Sequence, residues 1–263
     1  MINLSISNIA WAEQNDCMAY KIMQDYGFYG LEIAPTRIFK EQPYEQNDFA
    51  KKWANELYIK YGFHVTSMQS IWYGRTEKIF GDEQKRGILE EYTKRAIDFA
   101  ETIGCKNLVF GCPRNRCISE DRDYSVAIEF FKNIGEYAVI HNTCIGMEAN
   151  PPIYNTNFIN NTKQAISLVC DVGSAGFKLN LDIGTIIENS ETITELYGHS
   201  DLINHVHISE PGLGVIKKRR MHFEISDYLR SSNYKGAISI EMGCQEDMKI
   251  IQETCAYVRE VFG

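Results

Sequence analysis

The chain has 263 residues, an apolar share of 44% and a formal net charge of −8. That length suits one large domain, since α/β barrels commonly run to about 250 residues as a single unit. The acidic balance argues against nucleic acid as a partner, because phosphate contacts need a basic face, and no apolar run approaches the roughly 18 residues of a membrane span.

Eight apolar runs follow one another along the chain, beginning with Ile2-Asn-Leu-Ser-Ile, Gly30-Leu-Glu-Ile-Ala, His64-Val-Thr-Ser-Met-Gln and Asn107-Leu-Val-Phe-Gly. After these come Cys144-Ile-Gly-Met-Glu-Ala, Phe177-Lys-Leu-Asn-Leu-Asp, Ile203-Asn-His-Val-His-Ile and Ala237-Ile-Ser-Ile-Glu-Met. Between them lie amphipathic segments such as 89–103, where Leu89, Tyr92, Ala96, Phe99 and Ala100 share a helical face. Gly27, Gly62 and Gly104 stand just ahead of strands, where a helix end wants a left-handed residue.

Strict β-then-α alternation with short turns means parallel strands covered by helices. Eight units fit a closed (β/α)8 barrel better than an open doubly wound sheet. The glycine-rich phosphate turn of a dinucleotide fold is missing after the first strand, where Ser5-Ile-Ser-Asn-Ile-Ala stands. No linker or composition shift divides the chain, so residues 1–263 read as one α/β barrel domain.

Eight cysteines are scattered through apolar stretches without a Cys-x-x-Cys pair, and they read as buried thiols of a reducing compartment. A strand pattern beginning at Ile2 leaves no room for a charged and then apolar leader, which predicts a cytoplasmic protein.

In such a barrel the active site lies at the C-terminal mouth, so polar residues at strand ends become candidates. Strands five to eight end in Glu148, Asp182, His207 and Glu241. A lone strand-end carboxylate is commonly a helix N-cap or an ion-pair partner. Four ligand-type residues at equivalent places in consecutive units is a different matter. Three converging carboxylates would repel and be driven to protonate without a cation. Three carboxylates and an imidazole suit one divalent ion: manganese, magnesium, cobalt or zinc. His205 and His207 point the same way, because strand side chains alternate with period two. Strand-end position favours His207 as the ligand, and His205, one layer deeper, reads as a packed interior residue.

At this point the chain resembles the xylose isomerase-like superfamily of TIM barrels, the sugar phosphate isomerase/epimerase group. The resemblance rests on Gly30-Leu-Glu-Ile, Gly146-Met-Glu-Ala-Asn-Pro, Asn180-Leu-Asp-Ile-Gly, His205-Val-His-Ile-Ser-Glu-Pro and Ser239-Ile-Glu-Met, and it spans nearly the whole chain. It implies one divalent metal held by Glu148, Asp182, His207 and Glu241, with Glu148 and Glu241 also acting as acid and base on opposite faces of a substrate carbon. Such an enzyme moves a proton next to a carbonyl through a metal-stabilised enediolate.

Two departures count against a ketohexose 3-epimerase. Thr185 stands where those enzymes usually carry a histidine, three positions after the metal aspartate, and Leu213 replaces an arginine six positions after the metal histidine. The three-zinc AP endonuclease branch would need further histidines, yet Phe110-Gly-Cys and Thr185 occupy their places. The remaining readings are a sugar or sugar phosphate isomerase/epimerase first and a dehydratase of an inosose or dehydroshikimate-like substrate second. A non-catalytic sugar-binding barrel is a third. The expected partner is a small sugar or polyol, and barrels of this group often pair, which leaves a homo-oligomer open.

Substrate contacts are expected from Glu210, three residues beyond the metal histidine, from Glu32 at the end of strand two, and from His222, between Met221 and Phe223. Trp11, Trp72 and Tyr154 on rim loops could stack on sugar C–H groups, and Arg114 and Arg116 could meet an anion. The basic run Lys217-Lys-Arg-Arg lies in the loop after strand seven, where such barrels often hold phosphate. Gln69 on strand three reads equally as an interior or a substrate-facing residue.

Overall fold

Parallel strands can neighbour one another only through long crossovers, and this chain places at least one helix in each. The computed structural model describes residues 2–119 and 124–263. Its elements run β1 Asn3–Ser7, α1 Asp16–Asp25, β2 Gly30–Ile33, α2 Pro35–Ile38, α3 Asn47–Tyr61, β3 His64–Met68, α4 Glu83–Thr102 and β4 Leu108–Phe110. They continue with α5 Ser125–Ile140, β5 Ile145–Glu148, α6 Thr162–Val172, β6 Phe177–Asp182, α7 Ile183–Glu188, β7 Ile203–Ser209, α8 Arg220–Ser231, β8 Ala237–Glu241 and α9 Met248–Phe262. Each strand pairs in parallel with the next, and β8 returns to β1 through Leu4 opposite Ile238, so the sheet closes into the expected (β/α)8 TIM barrel.

The helix ends follow the glycine positions. Gly62 terminates α3 in the left-handed region at φ 76°, and Gly27 and Gly104 adopt φ 66° and 71° just beyond α1 and α4. Side-chain caps start other helices: Asp82 accepts from the Lys85 amide at 2.8 Å and Asn161 from the Gln164 amide at 2.9 Å.

The strands bury both faces, but the two faces differ in kind. Leu4, Ile6, Leu31, Phe110, Met147, Leu181, Ile208 and Ile240 join the buried apolar cluster with the helices. Its densest part is an aromatic chain in which Phe110 meets Trp72 and Phe131 edge-on at 4.7 and 4.8 Å and Phe131 stacks on Phe177 at 4.6 Å.

The alternate strand positions carry Ser5, Ser7, Glu32, Asn107, Asn180, His205, His207 and Ser239, all at most 1% exposed. These bond from strand to strand inside the barrel: Ser5 to Thr66 at 2.7 Å, Gln69 to Ser7 at 2.7 Å and Asn107 to Ser67 at 3.0 Å. The interior is therefore a polar network rather than the branched apolar filling usual in such barrels.

Register sets the height of the functional side chains. Glu148 stands opposite Asn180, Asp182 opposite His207, and Ser209 opposite Glu241, so the four candidate ligands climb to one rim.

Tight packing holds the sleeve against the barrel at Gly176, immediately before β6. A Cβ there would come within 2.0 Å of the Gly135 carbonyl oxygen on α5. Gly176→Ala should therefore cost about 2–3 kcal/mol through overpacking. A denaturant midpoint unchanged from the wild type would contradict that contact.

Candidate active site

The C-terminal mouth opens into a cavity of about 200 Å³ lined in part by Gln69, Gly111, Cys112, Glu148, Asn150, Tyr154, Asp182, Ser209, Glu210, Leu213 and Glu241. It lies where the fold places such sites, above the C-terminal strand ends. One ligand-type atom from each of Glu148, Asp182, His207 and Glu241 lies within 4.8 Å of all the others. Tertiary structure brings together the four residues that the strand-end pattern singled out.

Each is held separately. Glu148 accepts hydrogen bonds from the side-chain amides of Asn150 at 3.0 Å and Asn180 at 2.9 Å. Asp182 accepts from the Thr185 amide at 2.7 Å and the Thr185 hydroxyl at 2.8 Å through one oxygen, and from the Ser209 hydroxyl through the other. It thus caps α7 and faces the cavity at once, joining two roles that the sequence set as alternatives. Among described polar groups the Glu241 carboxylate touches only His207, at 3.3 Å.

His207 is the hub. Its Nδ1 lies 2.8 Å from Glu148 Oε1, and its Nε2 lies 2.9 Å from Glu32 Oε2. His205 Nε2 also approaches Glu32 Oε2 at 3.2 Å, without hydrogen-bond geometry. His205 is buried, as expected of an interior residue.

Burial and mutual repulsion decide the protonation of this group. Burial first, then the Glu148 charge, push the Asp182 carboxyl up to about 6. Burial, reinforced by Glu148 and Asp182, takes Glu241 to about 7 against the opposing pull of His207. Burial alone would lower His207, but Glu32 and Glu241 outweigh it and hold the imidazole well above its ordinary value. Burial would raise Glu32, yet His207 and His205 keep it below the usual carboxylate range. The pocket thus shares its protons among Asp182, His207 and Glu241. That chemistry fits a divalent ion, which would take the place of those protons.

The expected substrate contacts divide. Glu210 and Tyr154 line the cavity, and so does Gln69, which also donates to Ser7 and to Glu32 at 3.2 Å. Glu32 is fully buried and serves His207 instead of the cavity wall. Trp11 is buried and donates to Asp16 at 2.7 Å, and Trp72 donates to Thr93 at 2.8 Å; neither lines the cavity.

Arg114 is exposed and does not line the cavity, whereas Arg116 is fully buried and donates to the Glu148 carbonyl at 2.9 Å and to Asn150 Oδ1 at 2.7 Å. His222 does not line the cavity. It is buried between α8 and α9, with Nδ1 2.9 Å from the Tyr257 hydroxyl.

Asn150, Asn180 and Ser209 escaped the sequence reading. Each stands two residues from a candidate ligand on the same chain segment, so the period-two rule already carried the signal.

Residues 20–261 match the xylose isomerase-like TIM barrel family, and the chain belongs to that family. No curated protein sequence matches the chain. Among solved structures, a D-psicose 3-epimerase determined in the presence of D-fructose superposes with a TM-score of 0.79 at 18% identity, covering 100% of both chains. The 3-keto-D-glucoside 4-epimerase of E. coli has a TM-score of 0.72 at 18% identity over 99% of this chain and 100% of its own. The IOLI protein with a bound zinc atom gives 0.71 at 14% identity over 99% of this chain and 96% of its own. At these identities the likeness establishes the shared barrel.

Burial holds His222 neutral by lowering its pKa to about 4. As pH falls below the unfolded value near 6.5, the unfolded chain takes up a proton that the folded chain refuses. Stability from this residue is complete above about pH 6.5 and is lost towards pH 4, by up to about 3 kcal/mol. His222→Phe should lose less stability over that interval in urea titrations. Parallel acid limbs for the two proteins would refute the buried neutral state.

Proposed function

We propose that this protein is a divalent-metal-dependent isomerase or epimerase of a small polyhydroxylated carbonyl compound. The observation that carries this reading is the quartet of Glu148, Asp182, His207 and Glu241, whose donor atoms gather within 4.8 Å of one another, with the three carboxylates lining the cavity and His207 buried behind them. The superposed structures support it: two are of sugar epimerases and a third has zinc bound. A cavity of about 200 Å³ suits one small substrate, being below the roughly 300–1,000 Å³ that drug-sized ligands occupy.

A divalent ion held by these four residues would polarise the substrate carbonyl and lower the cost of an adjacent negative charge. The chain supplies the proton handling. Glu148 and Glu241 project from β5 and β8, on opposite sides of Asp182 and His207 in strand order. One carboxylate takes the proton from the carbon beside the carbonyl, and the other returns a proton from the far side, which inverts that centre. Returning it instead to the former carbonyl carbon, while the hydroxyl proton of the first carbon passes to the old carbonyl oxygen, gives the aldose–ketose isomerisation.

The Asn150 and Asn180 amides fix Glu148 in orientation, while Glu241 is left freer to move with a proton. Thr185, in the place of a histidine, donates its backbone amide to Asp182, and its single hydroxyl proton is shared between Asp182 and the Ala149 carbonyl, each 2.8 Å away, so it pins Asp182 and does not line the cavity.

Manganese titrated calorimetrically into metal-free protein should bind at one site. Glu32→Gln should weaken that binding by about 10- to 100-fold through loss of the carboxylate that orients His207. Retention of full affinity in the variant would remove Glu32 from this role.

Ketoses and inososes incubated with the manganese-loaded protein in D2O should gain deuterium at the carbon next to the carbonyl, and Glu148→Gln should abolish that gain. No exchange with any compound would point to a binding protein, and a new conjugated absorbance band would point to water loss in place of epimerisation.

A further inference from the structure

The loop from Glu210 to Arg219 carries the basic run that is the sequence's best candidate for a phosphate holder, and the structure gives each of its charges another position. Arg219 grips the Glu210 carboxylate in a bidentate pair, Nε to Oε1 at 2.7 Å and Nη2 to Oε2 at 2.5 Å, and the Lys217 amide adds a third bond at 3.2 Å. Lys218 sits over the Tyr257 ring at 5.6 Å, and Arg220 pairs with Glu224 at 2.9 Å. The Lys217 side chain is exposed and is not part of the cavity lining. Arg116, beneath the wall, points its guanidinium at the Glu148 and Ile159 carbonyls and at Asn150.

The cavity is left with an unusual lining. Glu148, Asp182, Glu210 and Glu241 contribute four carboxylates, Gln69, Ser70, Asn150, Tyr154 and Ser209 contribute neutral polar groups, and no described lysine, arginine or histidine side chain lines it. With a divalent ion offsetting two of the carboxylates and Arg219 offsetting Glu210, one negative charge would be left over on the lining, and the buried Arg116 and Glu32 behind it add one charge of each sign. Leu213 stands on the wall with φ 56° and adds an apolar side chain to it.

From this we infer that the substrate is an uncharged, unphosphorylated polyhydroxy carbonyl compound, selected against its phosphate esters by the acidic wall and by the Glu210–Arg219 pair that withholds the nearby guanidinium. The inference rests on the isomerase or epimerase reading above and narrows its substrate class. Neutral amides, hydroxyls and carboxylates are hydrogen-bond partners for sugar hydroxyls, whereas a phosphate dianion in the same space meets like charge at short range. Glu210 is thus a specificity determinant through the cation that it neutralises.

The test uses the full chain loaded with manganese and matched pairs of probes: D-fructose, D-tagatose and D-allulose, each beside its own 6-phosphate. Binding is read by calorimetry and turnover by deuterium incorporation. The free ketoses should bind at least about tenfold more tightly than their phosphates, a modest figure for one unfavourable charge contact. Glu210→Gln, which frees Arg219, should narrow that ratio several-fold. Arg219→Gln, which leaves Glu210 uncompensated, should widen it, and the opposite signs keep the test informative should one variant fold poorly.

Equal or tighter binding of the phosphates with exchange intact would overturn the substrate class while leaving the proposed chemistry standing. Exchange with neither set would overturn both. A ratio that moves in the same direction in the two variants would remove the Glu210–Arg219 pair from specificity.

Discussion

Everything at the mouth of this barrel answers to one electrostatic constraint: three carboxylates and an imidazole, from four consecutive strands, share a space in which their nearest atoms lie within 4.8 Å. Like charges so close and so poorly hydrated are costly. The chain meets the constraint with directed hydrogen bonds to Glu148 and Asp182 and with an imidazole that is set between Glu148 and Glu32 and also approaches Glu241. Asn150, Asn180, Thr185 and Ser209 are neutral, so they orient the carboxylates without cancelling their charge. The negative field is thus preserved and aimed, which is the condition a cation site requires.

This arrangement reaches far down the barrel axis. Glu32 is bound to Gln69, Gln69 to Ser7, Asn180 to Glu148, and Asn107 to Ser67 and Asn204, so polar side chains replace apolar ones through much of the interior. Burial of apolar area therefore happens mainly in the sleeve between strands and helices, where Phe110, Phe131 and Phe177 pack. The division separates functions in space. The sleeve carries the hydrophobic stabilisation, the axis carries oriented polar groups, and the loops above the strands vary the cavity wall. The residues of the loop after β7 show how a run of positive charge can be dispersed onto local partners and leave an acidic cavity beside it.

Much of this was legible in the linear chain. The eight strands follow from alternating apolar runs, and the helix ends from Gly27, Gly62 and Gly104, because these signals depend on local backbone geometry. The metal-type quartet was legible for a related reason. A parallel barrel turns equivalent positions in successive β/α units into neighbours, so Glu148, Asp182, His207 and Glu241 could be matched by place before any distance was known.

The rest depended on three-dimensional packing that leaves no periodic trace. His222, flanked by apolar residues, resembled a cavity residue, yet the rotation of α8 turns it against Tyr257. Arg116 and Arg114, two positions apart, differ completely in burial: Arg116 is turned inward onto the Glu148 and Ile159 carbonyls and Asn150, and Arg114 faces outward. Glu32 ended a strand pattern as the four candidate ligands do, but its place on β2 sets it under His207. The sequence alone determined the barrel and which strand tips meet, since both follow from repeat and register. Only the tertiary structure decided which charges face the cavity and which are paired away, because that depends on side-chain partners brought together from distant parts of the chain.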